Sequence, residues 1–237
     1  MSSQRFYLFD GLNYTRIAYS VAQKSEDPLS AFEALFYKMF SNFARAHAGV
    51  YYACWDTAGG TQYKKDIDPQ YKSNRSAWNE DIGKAVALAK KIMAVYEVIE
   101  IGLPQTEADD TIHMIAKILR DKYPKSIITI VTRDKDLIQT VQKKYANNIF
   151  DVVKKKYMDI PEYDIIGYKS LVGDPSDHIK GVSHIGPAKA RKYLAGGFAL
   201  DKEQQKQFDE ARSLIDIERN PQFNSNLQKL KETYFNV

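Results

Sequence analysis

Apolar positions along the chain follow two periodicities. Residues 6–9, 50–55 and 127–132 are short, largely apolar runs rich in β-branched and aromatic side chains, as strands buried on both faces are. Residues 29–46, 82–98 and 108–119 instead space their apolar positions three and four apart, as amphipathic helices do. Strand alternating with helix predicts an α/β domain around a parallel sheet. A weaker strand, 148–153, follows a short helical stretch at 137–141. Beyond the lysine run Lys154, Lys155, Lys156 the strand signal fades, and 160–171, 188–194, 204–217 and 224–234 read as helical. The expected organisation is a sheet domain over residues 1–155 and a helical subdomain over 156–237, with no internal repeat or low-complexity tract.

One connection, at 57–79, is long for a compact domain. It holds Gly59, Gly60 and Pro69, the rings of Tyr63, Tyr71 and Trp78, and the cations Lys64, Lys65, Lys72 and Arg75. A solvated loop has this composition, and so has a surface that sets cations against the phosphates and rings against the bases of a nucleic-acid strand. On the second reading Lys64, Lys65 and Tyr71 are DNA contacts. At 44% hydrophobic and 27% charged over 237 residues, the chain is globular in composition, which excludes collagenous, disordered and low-complexity classes. Cys54 is the single cysteine, so there is no intramolecular disulfide framework and no multi-cysteine zinc site, which fits a reducing compartment. No run approaches the ~20 apolar residues of a membrane span, and the first residues lack a secretory leader pattern. A soluble, cytoplasmic protein without a membrane partner is expected. The 34 Lys and Arg exceed the 30 Asp and Glu by only four, which alone says little about partners.

Nine acids stand at the ends of elements. Asp10 and Asp56 directly follow strand runs, and Asp134 stands two residues after Thr132. Glu107, Asp109 and Asp110 open the helix at 108–119, Asp136 opens the next, and Asp174 and Asp177 belong to a Gly-Asp-Pro-Ser-Asp turn. Each has a local explanation: Thr106 with Asp109 resembles a capping box, acids favour first helical turns, and Asp174 before Pro175 nucleates a turn. The carboxyl ends of parallel strands are nevertheless where open α/β sheets bind ligands, so all nine can share one edge. Unit charges ~4 Å apart repel by about 4 kcal/mol at an effective dielectric near 20, so a converged cluster needs cations. Oxygen ligands alone select hard ions, Mg²⁺ or Mn²⁺, and His47, His113, His178 and His184 form no zinc spacing. More carboxylates than one octahedral ion uses point to two ions, a recurrent apparatus of phosphodiester hydrolysis. With the nine set aside, 21 acids remain against 34 Lys and Arg, an excess of 13. An acidic pocket on a basic body fits a nuclease, whose affinity rests on phosphate contacts, better than a small-metabolite phosphatase.

Taken in order, Phe9-Asp10-Gly11, Trp55-Asp56, Tyr71-Lys72-Ser73-Asn74-Arg75, Glu107-Ala108-Asp109-Asp110, Arg133-Asp134-Lys135-Asp136-Leu137 and Gly173-Asp174-Pro175-Ser176-Asp177 carry a resemblance. The chain resembles the 5′-nuclease or flap endonuclease superfamily, most closely its stand-alone bacteriophage-type 5′→3′ exonucleases, over about residues 6–200. The resemblance implies a PIN-like α/β fold, with a central, mostly parallel sheet flanked by helices and a C-terminal helical subdomain containing a helix-three-turn-helix. It implies two metal clusters, with Asp10, Asp56, Glu107, Asp109 and Asp110 in the first, Asp136, Asp174 and Asp177 in the second, and Asp134 between them. It places an arch at about 57–82 over the active site, with Lys72 and Arg75 as catalytic cations on the scissile phosphate. Tyr71 is then either a stacking platform or a packing residue at the arch hinge.

The segment Gly181-Val182-Ser183-His184-Ile185-Gly186-Pro187-Ala188-Lys189-Ala190 resembles the family's helix-three-turn-helix. Backbone N–H groups cornered by Gly181 and Gly186, with Lys189, Arg191 and Lys192, would then meet duplex phosphates, a contact that reads no sequence. Related proteins often bind K⁺ there through loop carbonyls. Two departures bear on that site and leave the carboxylates untouched. His184 replaces the first glycine of the usual Gly-x-Gly, where histidine accepts positive φ less readily than glycine, and His178 stands where Asn is common.

The implied activity is metal-dependent, structure-specific hydrolysis near single-strand/duplex junctions, both 5′→3′ exonuclease and flap endonuclease, leaving a 5′-phosphorylated product. The implied substrates are branched or 5′-ended DNA and RNA/DNA hybrids, in RNA primer and flap removal during replication. The implied form is a monomer, in a bacterial host cell if phage-encoded, with a clamp or a single-strand-binding protein as replication partners to test. The tail at 228–235 reads as an amphipathic terminal helix, because Lys231 occupies the apolar position a clamp peptide needs. Two rivals share parts of the pattern. A haloacid-dehalogenase-like phosphohydrolase needs a second Asp two positions after its nucleophile, where Leu12 stands. A non-catalytic branched-DNA-binding protein would be expected to lose acids, and none of the nine is missing.

Overall fold

Strand β1 (Arg5–Asp10) sets the layering: Phe6 and Leu8 face one side, Tyr7 and Phe9 the other, and all four are buried. A strand of this kind needs cover on both faces. The computed structural model describes residues 3–74 and 80–236. After β1 come α1 (Gly11–Ala22), α2 (Pro28–Ala46), β2 (Val50–Cys54), α3 (Gln62–Ile67), α4 (Glu80–Val95), β3 (Ile99–Ile101), α5 (Ala108–Lys122), β4 (Ile127–Val131), α6 (Ile138–Gln142) and β5 (Asn148–Asp151). The chain continues through β6 (Lys156–Tyr157), α7 (Ile165–Val172), β7 (Gly173–Asp174), β8 (Ile179–Lys180), α8 (Pro187–Leu194), α9 (Lys202–Ile215) and α10 (Phe223–Leu230).

The main sheet has the order β3-β2-β1-β4-β5-β6; β1 to β5 run parallel and β6 pairs antiparallel at the edge. On one face Tyr7, Phe9 and Val131 meet α1, α2 and α4 in a core dominated by aromatic rings, among them Tyr14, Phe32, Phe36, Phe40 and Phe43. On the other, Phe6, Leu8, Ile128 and Ile130 meet α5 together with Leu214, Phe223 and Leu227 from the C-terminal helices. The boundary expected at 155/156 falls inside the β5–β6 hairpin, where Asp151 pairs with Lys156 and Phe150 with Tyr157. The C-terminal helices share the sheet's core, and only a satellite cluster around Leu171, Val182, Ile185, Ala190 and Phe208 is their own.

The expected strands and most expected helices are present, with shifted ends. The helix expected to 98 stops at Val95, because Glu97 takes φ 55° and the chain turns into β3. The helix expected from 160 begins at Ile165, where Asp164 caps it by accepting from the N–H groups of Ile166 and Gly167. Helix α1 has no aliphatic stripe and buries Tyr14, Thr15, Ala18, Tyr19 and Ala22 instead. The short β7–β8 hairpin relies on Gly173 at φ +80°, where a Cβ would stand 2.6 Å from the Ile179 carbonyl oxygen. That hairpin frames the turn carrying Asp174 and Asp177.

The aromatic layer yields a stability test. Phe36 is fully buried, with the rings of Tyr14 and Phe32 each 5.3 Å away. Phe36→Ala should lower the unfolding free energy by about 3–5 kcal/mol. Urea titration checks this, with an unchanged slope showing that the native state stays compact.

Candidate metal centre and its cationic rim

Strand order reverses at β1, whose neighbours β2 and β4 connect to opposite sides, and a crevice opens beyond the carboxyl ends of these strands. Asp10 ends β1 in that crevice. The Asn13 N–H donates to its Oδ1 at 3.0 Å, so Asp10 caps α1, and the Thr132 hydroxyl donates to Oδ2 at 3.2 Å. Gly11 follows because any Cβ there would lie 2.7 Å from the Trp55 ring. Asp56, just past β2, accepts from the Ala108 N–H at 2.9 Å and so caps α5 from another element. Glu107, Asp109 and Asp110 sit at the start of α5, with one carboxylate oxygen of each within 4.8 Å of the others. Asp10, Asp56, Asp109 and Asp134, with Lys72 and Arg16, line one cavity of about 380 Å³.

The remaining acids adjoin it. Asp134 Oδ1 accepts from the Asp136 N–H at 2.8 Å. Lys169 of α7 joins Asp136 to Asp174, lying 2.6 Å from Asp174 Oδ2. Asp174 Oδ1 accepts from the Ser176 N–H at 2.9 Å. The Tyr71 hydroxyl lies 3.2 Å from Glu107 Oε2 and 3.3 Å from Asp177 Oδ2, and so ties the two groups together. Lys72 pairs with Glu107 and lies 3.7 Å from Asp177 Oδ2. Lys64 lies 2.6 Å from Glu107 Oε2 and 3.7 Å from Asp110 Oδ1. Five separate stretches of chain thus bring all nine predicted acids to one edge.

Their proximity is costly in charge. Burial pushes Asp10, Asp110 and Asp136 up to about 7 and Asp134 up to about 6, and neighbouring carboxylates add to each rise. Asp56 is raised for the same reasons. Burial also works against charge on Asp109, but Lys64 and Lys72 hold it below the usual carboxylate range. Conversely, burial opposes charge on those two lysines, and the surrounding carboxylates outweigh it and keep both protonated. Asp110 Oδ1 is buried without a hydrogen-bond partner, which a native structure tolerates where an ion completes the site. Buried, closely spaced, all-oxygen donors with a surplus of negative charge fit a hard divalent cation.

Two sequence expectations are corrected. Lys64 and Tyr71, expected as DNA contacts, are 6% and 1% exposed, and both are engaged with site carboxylates. Neither offers a surface to a strand, so of the two roles open to Tyr71 the structure shows packing. Lys65 is exposed. Arg75 lies outside the described residues, as does Trp78. Of the segment expected as an arch at about 57–82, residues 80–82 form the first turn of α4. Residues 72–74 of this segment dock on the Asp174 turn: the Lys72 N–H donates to the Asp177 carbonyl at 2.9 Å, and Asn74 Nδ2 donates to the Pro175 carbonyl at 3.0 Å.

In the segment joining α7 to α8, His184 itself adopts φ 62° and His178 φ 61°, so histidines hold the left-handed positions. Gly186 has φ −91° and open space around it, while a Cβ on Gly181 would meet the Val172 carbonyl carbon at 2.4 Å. Lys189, Arg191 and Lys192 are exposed, and Lys189 Nζ donates to the His184 carbonyl at 3.0 Å. Sequence reasoning missed Lys169 and Arg16. Lys169 is an ordinary-looking helix residue five positions before Asp174, and Arg16 lies one turn beyond Asn13 on a helix the apolar pattern did not reveal.

Residues 5–166 match the family model of the 5′-3′ exonuclease, N-terminal resolvase-like domain. The chain belongs to this 5′-3′ exonuclease family. It is 26% identical over 209 residues to a 5′-3′ exonuclease of Mycoplasmopsis pulmonis, covering 84% of this chain and 69% of that one. It is 31% identical over 160 residues to a 5′-3′ exonuclease of Bacillus subtilis, covering 63% of this chain and about half, 53%, of that one. In three dimensions this 5′-3′ exonuclease family member superimposes on the T5 D15 protein co-crystallised with metal ions, with TM-score 0.67 and 15% identity over 96% of this chain and 99% of the other. That likeness establishes the shared fold. Among the described residues no helix is long and apolar enough to cross a membrane.

If the acids form a cation site, divalent ions should raise the melting temperature and EDTA should reverse the rise. At an ion concentration 100-fold above the dissociation constant the gain is about 2.7 kcal/mol. Asp10→Asn keeps a capping oxygen while removing one charge. Thermal unfolding should show it at least as stable as the parent in EDTA, with a smaller gain on adding Mn²⁺.

Proposed function

We propose that this chain is a metal-dependent, structure-specific 5′ nuclease, acting as 5′→3′ exonuclease and flap endonuclease near single-strand/duplex junctions. The observation that carries this reading is the convergence of nine carboxylates, from five stretches of chain, on one edge of the sheet, four of them lining a crevice with Lys72 and Arg16. Family membership and relatives named 5′-3′ exonuclease support it. The oxygen donors favour Mg²⁺ or Mn²⁺, two ions being held by Asp10, Asp56, Glu107, Asp109 and Asp110 on one side and by Asp136, Asp174 and Asp177 on the other, with Asp134 between. When bound, such ions polarise the scissile phosphodiester and activate water.

The chain's own groups do the rest. Lys72 and Arg16 bring positive charge to the carboxylate cavity, where a phosphate carrying developing negative charge would lie. Arg75, next along from Asn74, is assigned the same task by resemblance. Lys189, Arg191 and Lys192 on α8 hold duplex phosphates, so substrate is recognised by shape and backbone. Because Lys189 already bonds the His184 carbonyl, K⁺ binding in this loop would have to compete with a chain ammonium. The biological setting is removal of RNA primers and 5′ flaps from branched or 5′-ended DNA and RNA/DNA hybrids, by a monomer. A haloacid-dehalogenase-like mechanism lacks its acid: Leu8 and Leu12 stand two positions either side of Asp10, and Leu8 is fully buried.

A 5′-labelled flap substrate should be cut in Mg²⁺ and left intact in EDTA. Asp136→Ala should abolish cutting while gel-shift binding of the flap persists; a purely DNA-binding protein would show no Mg²⁺-dependent cutting in the parent chain. Lys72→Ala should reduce kcat by roughly 10²–10³. The α8 cations make a separate claim. Lys189→Glu and Arg191→Glu should weaken binding equally across unrelated sequences, and each should reduce the slope of log affinity against log salt by about 1. Affinities measured at several salt concentrations decide it.

A further inference from the structure

A second cavity, of about 720 Å³, lies between α7 and the loop carrying Arg133 and Lys135. This is within the roughly 300–1,000 Å³ of pockets that enclose small organic molecules. Its walls are chemically divided. One side presents the rings of Tyr163 and Tyr168, with centroids 4.7 Å apart, beside the apolar side chains of Ile165 and Val172. The other presents Arg133, half exposed, and Lys135, exposed and without an ion-pair partner among the described residues.

The cationic side does not stop there. Arg133 and Lys135 also line a neighbouring cavity of about 420 Å³, together with Lys154, Lys156 and the half-exposed Tyr157 of the β5–β6 hairpin. Asp134 lines both the 720 Å³ cavity and the carboxylate crevice. A trough therefore runs from the carboxylate crevice, past the tyrosine pair, to the lysine run at the sheet edge. Acids occur at both ends, Asp134 and Asp174 at the crevice and Asp151 and Asp159 in the hairpin cavity, but there Arg133, Lys135, Lys154 and Lys156 outnumber them, so an anion's favourable position is against Arg133 and Lys135.

Rings beside exposed cations are the equipment for holding unpaired nucleotides: any base offers a face to stack, and its phosphate meets the charge. We infer that this trough is a binding site for an unpaired segment of the nucleic-acid substrate, with one base lodged against Tyr163 and Tyr168 and its flanking phosphates on Arg133 and Lys135. The inference deepens the nuclease reading and rests on it for the identity of the ligand. The site is separate from the α8 cations, which meet duplex backbone, and it gives the lysine run of the hairpin a task.

The test uses the full chain in EDTA, so that nothing is cut, with a short oligothymidylate carrying one 5-iodouracil as photo-crosslinking probe. The adduct, located by mass spectrometry, should fall on Tyr163 or Tyr168. Tyr163→Leu and, on the exposed side where folding is not at issue, Lys135→Glu should each weaken binding of the unmodified oligothymidylate about ten-fold. Adducts confined to other parts of the chain, or affinities unchanged in both variants, overturn the inference. Flap cutting by the parent chain in Mg²⁺, run alongside, separates the two claims. Cutting with unchanged oligonucleotide affinities removes the trough alone, whereas no cutting with a tyrosine adduct removes the nuclease reading and keeps the trough.

Discussion

Like charges held together at the end of a sheet are the constraint around which this molecule is arranged. Asp10, Asp110 and Asp136, all largely buried, are pushed up to about 7, and Asp134 to about 6, first by burial and then by one another. A fold leaves such a cluster in place only if something balances it. Here three lysines do part of that work: Lys64 and Lys72 on Glu107, and Lys169 across Asp136 and Asp174. They do not finish it, because the carboxyls stay raised and Asp110 Oδ1 is left without a hydrogen bond. The residual demand for positive charge at one edge is what makes a cation site there physically coherent.

The fold meets this demand by using the same atoms twice. Asp10 caps α1, Asp56 caps α5, and Asp134 and Asp174 each close a local turn by accepting from an N–H two residues on. The second carboxylate oxygen takes other partners in two of them, the Thr132 hydroxyl on Asp10 and the Lys169 ammonium on Asp174. The caps also fix orientation. Asp10 is held by the first turn of α1 and by Thr132 at the end of β4, so it cannot swing away from its neighbours when their charge repels it. Local structural roles and a role in the site are therefore not rivals for these acids. The cap is what holds the carboxylate in position.

This dual use explains what the sequence revealed and what it concealed. The strands were legible because Phe6 to Phe9 and Ile128 to Val131 are short runs of aromatic, aliphatic and β-branched residues, and the acids because they stand near where such runs end. Helix α1 was hidden because its buried face is made of tyrosine, threonine and alanine, which carry no aliphatic period. Strand β3, residues 99–101, was not expected, because a run of three residues directly after a helical pattern is too short to stand out. Lys64 and Tyr71 were misread because an interleaved basic and aromatic segment has the same composition whether it faces solvent or carboxylates. Only the tertiary placement of Glu107 decides between these, and it turns both side chains inward. Lys169 was invisible for the opposite reason, since a lysine on a helix needs no explanation until Asp136 and Asp174 are seen beside it.

The cations divide into two populations with different physics. Lys64 and Lys72 are buried, with side chains 7% and 10% exposed, so their charge interacts in a poorly screened interior and belongs to the stability of the acid cluster. Lys135, Lys154, Lys156, Lys189, Arg191 and Lys192 are exposed, and for Lys135, Lys154 and Lys156 no ion pair exists among the described residues. Their attraction for a polyanion falls with salt, whereas that of the buried pair changes much less. Chemistry and capture are thereby placed under separate controls in one small fold. The rigid, poorly screened centre is set by burial and caps, while the exposed cations around it carry a field that salt screens. A substitution among the exposed cations therefore leaves the carboxylates undisturbed, whereas one among the buried cations uncovers their repulsion.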